Sequence, residues 1–282
     1  MEILSIPKIW DYRILPFDEN MFYSEKIISP FKKFEEWPEI LKNQNPTLLK
    51  EEINNDNFRS DDFTFSHEGK HFLFAGCSYT WGVGLSLEEI WAKKVYNLLT
   101  SEQKCSGFFN LGIPSQGIIS QIFNIFKYCK LYGNPDAIFF NIPDLGRFYY
   151  YDNDNEIFYN AGYFDNGMDK LLNVLSYQYY FMLEQYCLQN NIQLYSFSWV
   201  NVENETFWTN KKKIINPDVL KNFKTFYSTT IKEIFDFVFD YINKNKDIKF
   251  LKLSRDNDHL GIAYHEYWSN FIFEKYKLKN KK

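Results

Sequence analysis

The sequence predicts an α/β domain: a three-layer αβα sandwich around a central five-stranded parallel sheet, preceded by an irregular N-terminal arm. Three observations carry this. From His71 onward, short apolar runs alternate five times with segments of helical period, the pattern of parallel strands joined by right-handed crossovers. The strand-like runs are almost entirely apolar, as strands covered on both faces should be. Before them, Pro7, Pro16, Pro30, Pro38 and Pro46 interrupt every long element, and the apolar residues there are scattered aromatics. The arm is placed at 1–66 and the α/β domain at 67–282.

The elements follow in order. HFLFAG (71–76) is a short apolar strand that ends in glycine. LEEIWAKKVYNLL (87–99) sets Ile90, Trp91, Val95, Leu98 and Leu99 at helical spacing. GFFNLG (107–112) is a second strand. From Ile118 to Tyr132 a helix carries Ile118, Ile122, Ile125, Phe126 and Cys129 on one side, and Gly133 stops it. AIFFNI (137–142) is a third strand. Residues 148–167 match neither period and are expected as an insertion loop. A helix spans about 168–189, the strand QLYSFSWV spans 193–200, and a long helix lies near 218–243. IKFLKL (248–253) is the fifth strand, and 263–276 the closing helix. Five such units usually take the strand order 2-1-3-4-5.

Composition removes several function classes. The 282 residues carry a net charge of −4, with acidic and basic residues mixed along most of the chain. No basic stripe exists to neutralise phosphates, so nucleic acid is not an expected partner. Cys77, Cys105, Cys129 and Cys187 form no disulfide framework or zinc-ligand spacing, so no metal and no other cofactor is expected. The first residues are charged throughout and no apolar run approaches a membrane span. The expectation is a protein without a signal peptide or membrane contact, cytoplasmic (host cytoplasm if viral) or virion-associated. The 29 Phe, 21 Tyr and 7 Trp fit two explanations: AT-rich codons, or aromatic platforms for sugars or subunit contacts.

Two segments can carry chemistry. Gly76-Cys77-Ser78-Tyr79-Thr80-Trp81-Gly82 sits where the first strand hands over to the first helix, at the carboxyl edge where open α/β sheets build their sites. A serine there is exposed on a tight turn, with nearby backbone N–H groups able to face a developing oxyanion. The same turn also suits a helix-capping serine, and the segment alone leaves both readings open. A phosphate loop does not fit, because no Gly-Lys-Ser/Thr follows. The second segment, Asp256-Asn257-Asp258-His259-Leu260-Gly261, follows the fifth strand on the same edge. A carboxylate on Nδ1 would fix the imidazole tautomer while Nε2 takes a serine proton. An Asx-rich turn capping the last helix is the alternative. His67 and His71 flank a glycine turn, and His265 lies inside the last helix.

Together these segments resemble a family. Gly76-Cys77-Ser78-Tyr79-Thr80 resembles the Gly-Asp-Ser block of the SGNH (GDSL-type) hydrolases. Asn110-Leu111-Gly112-Ile113-Pro114-Ser115 is similar to their second block, and Asp256-x-x-His259 to their closing one. The likeness spans about 65 to 280, in order. RSDDF, GKHFLFAGCSYTWG and PDLGRF, between Arg59 and Arg147, are similar to SGNH-like proteins of tailed bacteriophages. The resemblance implies a flavodoxin-like strand order, Ser78 as nucleophile, His259 as general base and Asp256 as its orienting partner. It also implies an oxyanion hole from the Ser78 amide, a second-block amide at Ser115 and a third-block asparagine.

Three departures stand out. Cys77 replaces the Asp of the first block, and Ser115 replaces the Gly of the second. The third block aligns with Asn141-Ile142-Pro143-Asp144, so Pro143 replaces the asparagine donor. Asn141 or Arg147 would then have to compensate, since losing one oxyanion donor costs roughly 3–4 kcal/mol. Arg147 beside Asp144 suits either a local ion pair or orientation of an acyl or carboxylate group. Tyr150, in the aromatic loop, suits sugar stacking or a lid or subunit contact. The expected function is a serine esterase or deacylase acting on an acyl ester or an acylated glycan. The rival is a virion structural protein on the same scaffold, alone or as a homo-oligomer.

Overall fold

The computed structural model describes residues 54, 56, 58–64, 68–113, 116–145, 148–152, 157–161, 169–199, 220–248, 251–254 and 259–280. Of the arm, residues 1–53 lie outside these.

Four strands form the central parallel sheet: β1 (Phe72–Ala75), β2 (Phe109–Asn110), β3 (Ala137–Asn141) and β6 (Gln193–Phe197), in the spatial order β2-β1-β3-β6. Strands β4 (Phe148–Asp152) and β5 (Ile157–Ala161) form a separate antiparallel pair with Tyr150 opposite Tyr159. The helices are α1 (Ser78–Trp81), α2 (Trp91–Glu102), α3 (Ile118–Tyr132), α4 (Asp169–Gln189), α5 (Ile231–Lys244) and α6 (Ile262–Asn280).

The strand alternation builds two cores. Phe72 and Phe74 of β1, Phe139 of β3 and Phe197 of β6 face one side, against α2, α5 and α6. Leu73, Ala75, Ile138 and Leu194 face the other, against α3 and α4. This is the expected three-layer sandwich, and burying both faces explains why the strands read as continuous apolar runs. The outer side of β2 is covered as well. Asp61 N–H donates to the Phe108 carbonyl (3.0 Å), Phe108 N–H to Asp61 Oδ2 (2.8 Å) and Asn110 N–H to Ser60 Oγ (3.1 Å). Residues 58–61, expected in the arm, thus occupy a sheet edge that would otherwise present unpaired backbone.

Four expectations need correction. Among the described residues the sheet has four strands, not five. The outer side of β6 is taken by a nearer segment: Ser196 N–H donates to the Thr225 carbonyl and Tyr227 N–H to the Ser196 carbonyl, both at 2.8 Å. Leu253 instead bridges antiparallel to Leu260, and Ser254 N–H donates to the His259 carbonyl (2.9 Å), so the 251–254 backbone folds back on 259–261. Residues 148–167 are not simply a loop, since β4 and β5 lie within them; Phe, Tyr and Ile suit a pleated strand once a partner strand is near. The helix expected near 218–243 starts only at Ile231. Thr230 caps it, with its side chain accepting from Glu233 N–H and the Glu233 side chain reaching back to Thr230 N–H. The expected helix 87–99 is also divided: Leu87–Glu89 is a 3-10 turn, and extended Ile90 precedes α2.

Candidate active site

The carboxyl end of β1 determines where Ser78 sits. Gly76 has φ +152°, and a Cβ there would lie 2.7 Å from the Asn141 carbonyl oxygen and inside the Thr80 hydroxyl. Only glycine lets the chain turn this close to β3. Gly76 N–H donates to Gln121 Oε1 (3.2 Å), while Gln121 Nε2 (2.9 Å) and Asn124 Nδ2 (3.2 Å) both donate to Gln116 Oε1. This buried chain of amides ties the turn to the start of α3.

Helix α1 is one turn long, so its last carbonyls have no partners within the helix. Two side chains supply them. Asn110 Nδ2 donates to the Thr80 carbonyl (3.0 Å), and Arg59 Nη1 donates to the carbonyls of Trp81 (3.1 Å) and Gly82 (3.0 Å). Arg59 is 1% exposed, a guanidinium committed to bracing this turn. Asn110 Oδ1 accepts from Gly112 N–H (2.8 Å), and a Cβ on Gly112 would stand 2.6 Å from Trp81 N. The second block therefore packs directly beneath the first.

Residues distant in sequence meet around Tyr79. Its ring stacks on Trp199 (centroids 4.2 Å, 27°) and meets the edge of His259 at 5.3 Å. His259 thus lies against the residue that follows Ser78 in the chain. Ser78 is 5% exposed, and its Oγ lies 4.0 Å from Cys77 Sγ. Asn141, at the end of β3, is 1% exposed, and among the described residues neither its Nδ2 nor its Oδ1 has a hydrogen-bond partner. Asp144 is buried beside it in sequence. Asp256, Ser115 and Arg147 lie outside the described residues, as does the side chain of Tyr150, whose backbone belongs to β4.

His265 turns out to be close to this cluster, although its place inside α6 gave no sign of it. Its Nδ1 accepts the Trp91 N–H (2.9 Å), supplying the cap that the side chain of Ile90 does not give α2. Its ring meets Trp199 at 4.7 Å. Burial, with smaller contributions from the charges of Lys94, His259 and Arg59, holds its pKa well below 6.5. His265 is therefore a neutral structural imidazole, while His259 is only half-buried. Arg59 was also missed as a bracing residue. The Asn-Leu-Gly spacing was a readable signal for the Asn110 turn, but nothing local marks Arg59 or His265.

No protein-family model matches the chain, and no curated protein matches it. Among solved structures it is similar to the psychrotrophic esterase EstA from Pseudoalteromonas sp., in a form inhibited by monoethylphosphonate. The identity is 11% and the TM-score 0.44, over 75% of this chain and 98% of that one. At that score the likeness assigns no residue a role. Among the described residues, no helix is long and apolar enough to cross a membrane.

Proposed function

We propose that the protein is a serine esterase or deacylase working through an acyl-enzyme, with O-acyl groups on a glycan as the substrate class. The observation that carries the reading is the convergence at Tyr79: the Ser78 turn and the His259 ring, from opposite ends of the domain, meet at 5.3 Å between the Tyr79 and His259 rings. The resemblance of the three sequence blocks to SGNH hydrolases supports it.

In this reading Ser78 Oγ attacks the acyl carbonyl as its proton passes to His259 Nε2, with Asp256 holding Nδ1–H. The Ser78 amide, the Ser115 amide and Asn141 Nδ2 donate to the oxyanion. The tetrahedral intermediate collapses as His259 protonates the leaving alcohol. Water, deprotonated by His259, then releases the acid. Arg147, Asp144 and Tyr150 would hold the alcohol side of the substrate. The decisive experiment is hydrolysis of a short-chain nitrophenyl ester by the wild type and by Ser78→Ala, with loss of kcat on the order of 10⁶-fold expected. Equal rates in the two proteins would end the catalytic reading.

A specific observation favours a second reading. Ser78 is nearly buried, with its hydroxyl 4.0 Å from Cys77 Sγ, as a retired site built into a virion component would be. Such a protein would hydrolyse none of a broad ester panel and would co-purify with assembled particles. An active wild type silenced by Ser78→Ala rejects it.

A further inference from the structure

Helix α4 is apolar on two opposite faces, and the sheet accounts for only one. Ser176, Tyr180, Leu183 and Cys187 are buried toward β3 and β6. On the opposite side Leu171, Val174, Tyr177, Phe181, Met182 and Leu188 are exposed, Leu188 by 70%. From Leu171 to Gln189 the only charged residue is Glu184, which accepts from Thr225 Oγ1 (2.8 Å). A helix face open to water ordinarily carries charges, and one that is apolar all round belongs in an interior. Phe223 touches one flank, its ring 4.7 Å from Tyr177.

We propose that this face of α4 is the docking surface for the chain's own N-terminal segment, residues 1–53. The described chain begins at Asn54, and Tyr132 OH, in the last turn of α3, donates to Asp56 Oδ2 (3.2 Å). Two residues beyond Tyr132, Asn134 Oδ1 accepts from Tyr186 OH of α4 (3.0 Å), and Asn134 Nδ2 donates to Asn190 Oδ1 (3.1 Å). The segment therefore joins the domain within a few residues of the last turns of α4, on the flank of Tyr186 and Asn190. From Leu171 to Leu188 the face is roughly 25 Å long, well within reach of 53 residues. The segment also has what such a surface buries: Trp10, Phe17, Phe22, Phe31, Phe34 and Trp37, interspersed with aliphatic residues. A tether holds a segment at an effective concentration of about millimolar, which a second copy of the chain at micromolar levels does not match.

The test uses the full-length chain with Phe181 replaced by the photo-crosslinker p-benzoylphenylalanine. The site is half-exposed, so the replacement disturbs no core. After irradiation in dilute solution, mass spectrometry should find adducts within one chain to peptides of residues 1–53. Adducts to residues 200–219, adducts joining two chains, or no protein adduct would each overturn the proposal. In a second arm, Val174→Asp with Leu188→Asp should leave the circular-dichroism melt cooperative. It should speed tryptic cleavage at Lys26, Lys32 and Lys42 on the order of ten-fold, because cleavage follows the undocked population. An unchanged cleavage rate would also overturn it.

Discussion

Replacing Asn141 with leucine separates what this residue does for stability from what it does for chemistry. The side chain is 1% exposed, and both of its polar atoms lack partners among the described residues. A buried polar group left unsatisfied costs roughly 1–3 kcal/mol relative to solvation, whereas an apolar group of similar volume carries no such cost. Asn141→Leu nearly conserves volume, so it should stabilise the fold by about 1–2 kcal/mol, or about 2–4 °C in melting temperature for a domain of this size. In the proposed reaction Nδ2 meets the oxyanion, and its loss should lower ester kcat roughly 10²- to 10³-fold with little change in KM. Urea unfolding and nitrophenyl-ester turnover on the same preparation read both effects. A variant that is destabilised by a kilocalorie or more and turns over normally would refute both halves. It would mean that the amide packs as structure and faces no substrate.

Other perturbations follow from the same geometry. Arg59→Ala removes the donor to the Trp81 and Gly82 carbonyls and should cost about 2–3 kcal/mol in urea unfolding; Arg59→Lys, which lacks the fork, should recover less than half of that. Gly82→Ala should lose about 1–2 kcal/mol or more, because φ is +85° and the new Cβ would run into Ile90; a loss of a few tenths would show that the turn tolerates L-residues. His265 is neutral in the fold, with its pKa held below 6.5, so as pH falls through 6.5 the unfolded chain takes up a proton that the folded one refuses. Stability should therefore drop by about 1.3 kcal/mol more in the wild type than in His265→Gln between pH 7 and 5.5, and parallel pH profiles would refute this.

The sequence was most legible where local pattern and tertiary role agree. Phe72–Ala75 and Ala137–Phe140 are apolar at every position because both sheet faces are covered, and the 2-1-3 order of their neighbours follows the usual crossover rule. Leu251–Leu253 was misread for a reason invisible locally. Its apolar run suits a strand as well as Thr225–Tyr227 does, and which of the two flanks β6 is decided in three dimensions. The β4–β5 pair was missed because its aromatic run has no polar alternation to announce a period of two. Around the candidate site, local punctuation marked the glycine turn at Gly76, the Asn-x-Gly turn at Asn110 and the Asx-rich segment of His259. Arg59, Trp199 and His265 act across long separations and carry no such signal.

The polar groups around Ser78 divide into two sets, and the division bears on whether the departure at Pro143 matters. Gln116, Gln121, Asn124 and Asn110 are hydrogen-bonded, and each bond holds a backbone turn or another amide in place. Polar satisfaction is thus nearly complete in the layer that supports the turn. Asn141 lies against Gly76 at the same sheet edge, and its side chain has no hydrogen-bond partner among the described residues. An unpaired group is tolerated where a ligand supplies the missing bond or where the strain serves a mechanism. Pro143 cannot donate from either backbone or side chain, but the donor its position lacks is available two residues earlier, already desolvated. In the proposed reaction the third-block departure would move the oxyanion donor to Asn141 without abolishing it. Asn141→Leu therefore tests the site more sharply than any substitution at Pro143.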